Sequence, residues 1–179
     1  MKVFISLIMA LFLWQSFAFA QNGPREFSEY EIKAAFLFKF IKFVEWPESS
    51  FSSDTEPIII GVVGKDPFGR NLDDTISGKT VKNRPIVIKR FKRYENIGRC
   101  HVLFISSSEK KRFFLILKQL MRRPVLTVSD TRNFARNGGM INLFTRNRKI
   151  RFQINLTSVE TSGLKISSRL LRLADIIKE

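Results

Sequence analysis

The chain has 179 residues, with 31 Lys and Arg against 16 Asp and Glu, a formal net charge of +15, one cysteine and one histidine. A single cysteine excludes a fold built on internal disulfides, and a single histidine, at the head of an apolar run, leaves a His-rich metal centre without its ligands and is poorly placed for a Ser-His-Asp triad. A balance this basic points to nucleic acid, anionic lipid or an acidic protein as partner, and the compartment decides among them.

The first twenty residues, MKVFISLIMALFLWQSFAFA, carry one charge, Lys2, then an apolar run from Val3 to Trp14 and a small-residue end at Ala18-Phe19-Ala20. That is the pattern of a secretory signal, with cleavage expected after Ala20. The apolar run is shorter than the ~20 residues that a spanning helix needs. Residues 21–179 are read as one exported domain in the periplasm, with no repeat or linker dividing them. Export makes nucleic acid a poor partner. Charge is also lopsided: residues 21–78 hold 6 basic and 10 acidic side chains, whereas 79–179 hold 24 basic and 6 acidic. The single thiol, Cys100, stands before the apolar run HVLFI and is read as buried.

SEYEIKAAFLFKFIKFVEWPE opens with Ser28 and Glu31 in capping-box spacing and runs without glycine or proline to Pro47, which predicts a helix. Its polar residues Glu31, Lys39, Lys42 and Glu45 fall on a narrow stripe, so most of its surface is expected to be covered. PIIIGVVG is an unbroken apolar run between turn residues, as in a strand buried on both faces. KDPFGRNLDDTISG then offers Asp66 as cap, Pro67 for the first turn and Gly78 as stop. RPIVIKRF, HVLFIS and PVLTVSD read as further strands, with a Ser-capped helix in SSEKKRFFLILKQLMRR. MINLFT and KIRFQINL form a hairpin, the second arm alternating Ile150, Phe152, Ile154 and Leu156 with Arg151, Gln153 and Asn155. A short helix in TSVETSG and a terminal amphipathic segment, SSRLLRLADIIKE, whose apolar face is Leu170, Leu171, Leu173 and Ile177, close the domain. The fold expected is α/β: a mostly parallel sheet of about five to six strands, helices on both faces and a C-terminal antiparallel hairpin.

No catalytic set, metal cluster or cofactor motif is legible, and the chain is read as a non-enzyme. His101 heads a buried strand and is read as structural. The pairs Asp73-Asp74 and Glu29/Glu31 do not converge on one helical face. GVVGKDPFG matches neither the dinucleotide fingerprint nor the phosphate loop. What remains is a crevice beyond the carboxyl ends of the strands, where Lys65, Asp66, Ser107, Ser108, Ser129 and Asp130 are candidates for a small anionic ligand.

The succession EYEIKAAFLFKFIKFVEWP, GVVGKDPFG, CHVLFIS, VLTVSD, FARNGGMINLF, IRFQINL and GLKISSRLLRLA resembles the YfiR-like family of periplasmic proteins, across nearly the whole exported chain. The resemblance implies a non-enzymatic regulator that binds the periplasmic sensory domain of an inner-membrane diguanylate cyclase, holds it inactive, and so lowers cyclic di-GMP and biofilm formation. It also implies that Gly138-Gly139 is a strand entry and not a ligand cradle. Some relatives carry disulfides important to folding, which Cys100 alone cannot form internally. The alternative expectation is a small-anion sensing subunit of another membrane sensor, and a homodimer is a further partner to be considered.

Overall fold

The computed structural model describes residues 27–178, so the expected signal peptide and its cleavage point lie outside the described residues. Helix α1, Glu29–Phe43, starts where the spacing predicts: the Ser28 side chain accepts from Glu31 N, and the Glu31 carboxylate accepts from Ser28 N. It stops at Phe43, because Val44–Glu45 (β1) pairs in an antiparallel ladder with Lys165–Ile166 (β9).

The remaining strands are β2 (Ile58–Val63), β3 (Thr80–Val81), β4 (Arg84–Phe91), β5 (Val102–Ile105), β6 (Leu126–Ser129), β7 (Ile141–Arg146), β8 (Lys149–Asn155) and β10 (Asp175–Ile177). They form one eight-stranded sheet in the order β10-β8-β7-β6-β5-β2-β4-β3. Only β7–β8 and β3–β4 are antiparallel. Helices α2 (Arg70–Ile76), α3 (Phe113–Gln119), α4 (Leu156–Thr161) and α5 (Ser168–Leu171) complete the described α-helices, and four short 3-10 turns lie in the connections.

The sheet is wider than the five to six strands expected. The two unforeseen members are edge strands of two and three residues, too short for any period to show. Strand β3 joins β4 through Lys82-Asn83, both at positive φ, the backbone of a two-residue hairpin turn whose twist matches the strands. Asn147-Arg148 makes the equivalent turn in the β7–β8 hairpin. The terminal segment is not one amphipathic stretch. Its helix ends at Leu171, Leu173 is 67% exposed, and Asp175–Ile177 extends alongside β8 because the backbone groups of Gln153–Asn155 are open there for pairing.

Alternation along each strand sends side chains to two unequal layers. Ile58, Ile60, Val62, Val102, Phe104, Leu126, Val128, Ile141 and Leu143 meet α1 and α2 in a core of 24 buried residues. Ile59, Val63, Leu103 and Ile105 face the other way and meet α3 and Phe134 in a second core of 11. Beyond β5 this second face turns polar, with Thr127, Ser129 and Asn142 buried beneath the chain.

Candidate functional site

The central strands run β4-β2-β5-β6-β7, so the chain leaves β2 first to one side and then to the other. In such sheets the crevice at the reversal, here between the carboxyl ends of β2 and β5, is the favoured ligand position. The structure brings Lys65 and Ser108 to it, but they face each other: Lys65 N donates to Ser108 Oγ at 2.9 Å. Gly64 has φ +89°, and a Cβ there would collide with Ser108 and Glu109, so this glycine makes room for the protein's own loop. Asp66 accepts from Phe68 N and from Arg90 Nε at 2.7 Å, and Arg90 also reaches Asp73 at 2.6 Å. Ser107 opens only a single 3-10 turn, Ser107–Glu109, capped by Ser106; the α-helix expected to begin there starts at Phe113. The SSEKKR stretch caps and turns instead of presenting a long helix N-terminus.

Ser129 and Asp130 end β6, apart from that crevice. Ser129 is fully buried; its hydroxyl donates to Ile105 O at 2.7 Å, lies 3.0 Å from the Thr131 hydroxyl and accepts from Thr131 N. It ties β6 to β5. Asp130 accepts from Lys33 Nζ at 2.6 Å and Tyr30 Oη at 2.9 Å, and Lys33 also pairs with Glu29 at 2.6 Å. The sequence had put no weight on Lys33, yet the residue is 3% exposed. Burial presses its ammonium toward a lower pKa, but the hydrogen bonds to Asp130 and Glu29 outweigh that and leave the pKa raised. Burial, followed by the hydrogen bond to Asp130, raises Tyr30. The cluster fastens α1 to the carboxyl end of β6 and borders a cavity of about 320 Å³ that Arg132 and Asn142 also line.

His101 has both ring nitrogens engaged by backbone. Nδ1 accepts from Ile59 N at 3.0 Å, which fixes the proton on Nε2, 3.2 Å from Ser50 O. Phe51 stacks on the ring, and Trp46 Nε1 donates to the His101 carbonyl. A histidine so held is a brace between β5 and the loop after α1, and burial lowers its pKa. Burial likewise pushes the Cys100 thiol up to about 11, the range of an unreactive thiol. Gly138 and Gly139 divide the two tasks expected of them: Gly138 takes φ +90° after the turn Ala135–Asn137, while a Cβ on Gly139 would run into the Phe134 ring. The pair is a bend.

A further surface was not singled out from the sequence. Helix α3 buries Phe113 and Ile116, and Leu120 follows beneath it, but Phe114, Leu115 and Met121 are 59%, 53% and 63% exposed. Phe114, Leu117 and Met121 line a groove of about 480 Å³ whose far wall is Thr157, Ser158 and Thr161 of α4 and whose floor includes Met140. Lys118 and Arg122 stand on its rim. The available signal was FFLIL itself: five apolar residues in succession go round a helix, and a helix resting on one side of a sheet cannot bury them all.

The YfiR/HmsC-like family model matches residues 30–175. No curated protein matches the chain. Among solved structures the chain is similar to a conserved domain protein from Vibrio cholerae O1 biovar El Tor strain N16961, with a TM-score of 0.54 and 11% identity over 86% of this chain and 61% of that one. The chain thus spans about three-fifths of that protein, and the likeness concerns the fold. No described helix is long and apolar enough to cross a membrane. With a match running from α1 to the last strand, this chain belongs to the YfiR/HmsC-like family, a regulatory and non-catalytic one.

Proposed function

We propose that the protein is exported to the periplasm, with cleavage after Ala20, and there binds the sensory domain of an inner-membrane diguanylate cyclase, holding it inactive. Family membership over residues 30–175 carries this reading. The site supports it: the Ser108 and Ser129 hydroxyls, both Asp66 oxygens and both His101 ring nitrogens have partners within the fold, with Asp130 Oδ1 left without one, while α3 exposes Phe114 and Leu115 beside Lys118 and Gln119. Repression then works by differential affinity, since binding shifts the cyclase only by the difference between its affinities for the active and inactive partner.

The second reading, a sensing subunit for a small anion, draws on Lys65, Asp66, Ser107, Ser108, Ser129 and Asp130. It has less support, because the Ser129 and Ser108 hydroxyls and both Asp66 oxygens already have intramolecular partners. Loss of a ligand response in Lys65→Ala with repression intact would favour it.

Cyclic di-GMP measured with the gene deleted and then restored tests the main reading. A rise on deletion, reversed by the full chain but not by one lacking residues 1–20, is the expected result. An unchanged level removes the cyclase as partner.

A further inference from the structure

The α3–α4 groove combines three features that the fold itself does not require. The first is a second apolar stripe: Phe114 and Leu117 of α3 and Met121 of the turn that follows it recur at i, i+3 and i+7, adjoining the buried Phe113, Ile116 and Leu120. Contiguous exposed apolar surface rimmed by polar groups marks an interaction site. The second is charge. Residues 109–123 hold six Lys and Arg and one acid, Glu109, which is buried and pairs with Arg112 at 3.6 Å. The third is Arg122, which ends the α3 turn at φ +60°. A glycine or asparagine would take that conformation with less strain, and the turn sets the guanidinium among the groove's lining residues beside Lys118.

We propose that this groove is the docking site for an acidic amphipathic segment of a partner protein, which seats apolar side chains between α3 and α4 and sets carboxylates against Lys118 and Arg122. The proposal rests on the reading above that the protein acts by binding another protein. Charge complementarity decides the sign of the partner, and the recessed floor decides its kind. Leu117, Leu120 and Met140 are among the more buried lining residues of a concavity between two helices, a shape that receives an inserted helix face.

The test uses the purified exported protein and a labelled synthetic helix with Leu at i, i+3, i+4 and i+7 and Glu on its other faces, beside a twin with Lys in place of Glu. The Glu helix is expected to bind saturably and at least ~10-fold more tightly than its twin, to weaken as salt rises, and to lose ~10-fold or more in Met121→Glu and in Lys118→Glu/Arg122→Glu. Met121, Lys118 and Arg122 are all exposed, so an unchanged melting temperature can be required of each variant. Equal binding of both helices, or binding untouched by Met121→Glu, overturns the proposal. So does a phosphatidylglycerol-vesicle association, or a self-association in sedimentation, that Met121→Glu abolishes while the Glu helix fails to bind; these assign the groove to a membrane or to a second copy. The cellular assay separates the two readings. If deletion leaves cyclic di-GMP unchanged the cyclase assignment fails, and the helix titration still decides the groove; if the full chain restores repression and folded Met121→Glu does not, the groove is where the cyclase is held.

Discussion

The two faces of the sheet are built from alternate residues of the same strands and end in different states. The face under α1 is closed by 24 buried residues, and its aromatic rings lock edge to face, Phe68 on Phe104 and Phe40 on Phe152. The face under α3 has 11, and α3 with the turn after it leaves three large apolar side chains, Phe114, Leu115 and Met121, mostly in water. Burial of apolar area stabilises roughly in proportion to the area removed from water, so stability resides mostly in the first face. The second face carries the apolar groove between α3 and α4.

The largest test of that division is a pair of truncations. Phe40→Ala, at a fully buried ring, should destabilise by about 3–5 kcal/mol, while Phe114→Ala on the open flank of α3 should stay within about 0.5 kcal/mol. Comparable losses in denaturant titrations of the two would dissolve the distinction between the faces.

Next in size is Asp130→Ala, which strips the buried Lys33 of the more buried of its two carboxylate partners and should cost about 3 kcal/mol. Because the folded pKa of Lys33 is raised, the interaction is at full strength below the unfolded lysine value, about pH 10.4, and is lost as pH climbs past it. Tyr30, also raised, titrates in the same direction. The gap in melting temperature between wild type and Asp130→Ala should therefore narrow in strong alkali. A gap that stays constant to pH 12 would show that the ion pair contributes nothing.

His101 sharpens the comparison at acid pH. Its folded pKa lies below the ordinary 6.5, so the unfolded chain takes up its proton first. Stability from the neutral ring is present above about pH 6.5 and declines as pH falls from there toward the folded value. Melting temperature should drop between pH 6.5 and 5, above the range in which most carboxylates titrate, and His101→Gln should flatten that slope; an unchanged slope would sink the assignment of the drop to this ring.

The smallest effect is the most telling for the second face. Arg122→Gly relieves a left-handed residue and should stabilise by up to about 1 kcal/mol while weakening capture of an acidic helix. A variant that gains stability and keeps full affinity would mean the arginine's charge has no part in docking.

Much of the architecture was legible because local and global signals agree. The Ser28/Glu31 box, the apolar runs of β2, β5 and β6 between turn residues, and the alternation in KIRFQINL each name an element without reference to the rest of the chain. The short strands β3 and β10 were not legible, because a strand of two or three residues exists by virtue of the partner beside it. The site was hardest for the same reason. Lys33 looks like an ordinary exposed helix residue until Asp130, 97 positions away, is placed against it, and Ser129 looks like a ligand group until Ile105 O is found to hold it.

By itself, then, the sequence determined the longer elements, the alternating β-α order and the basic second half, which follow from periodicity, capping and composition within each segment, while the bend at Gly138-Gly139 was implied by the family resemblance. Only the tertiary structure decided which polar groups are tied up, which face of α3 is left open, and that the crevice at the β2–β5 reversal is filled by Ser108. Those outcomes depend on distances between segments remote in sequence, and a hydrogen bond or a desolvated side chain exists only once both of its partners are in place.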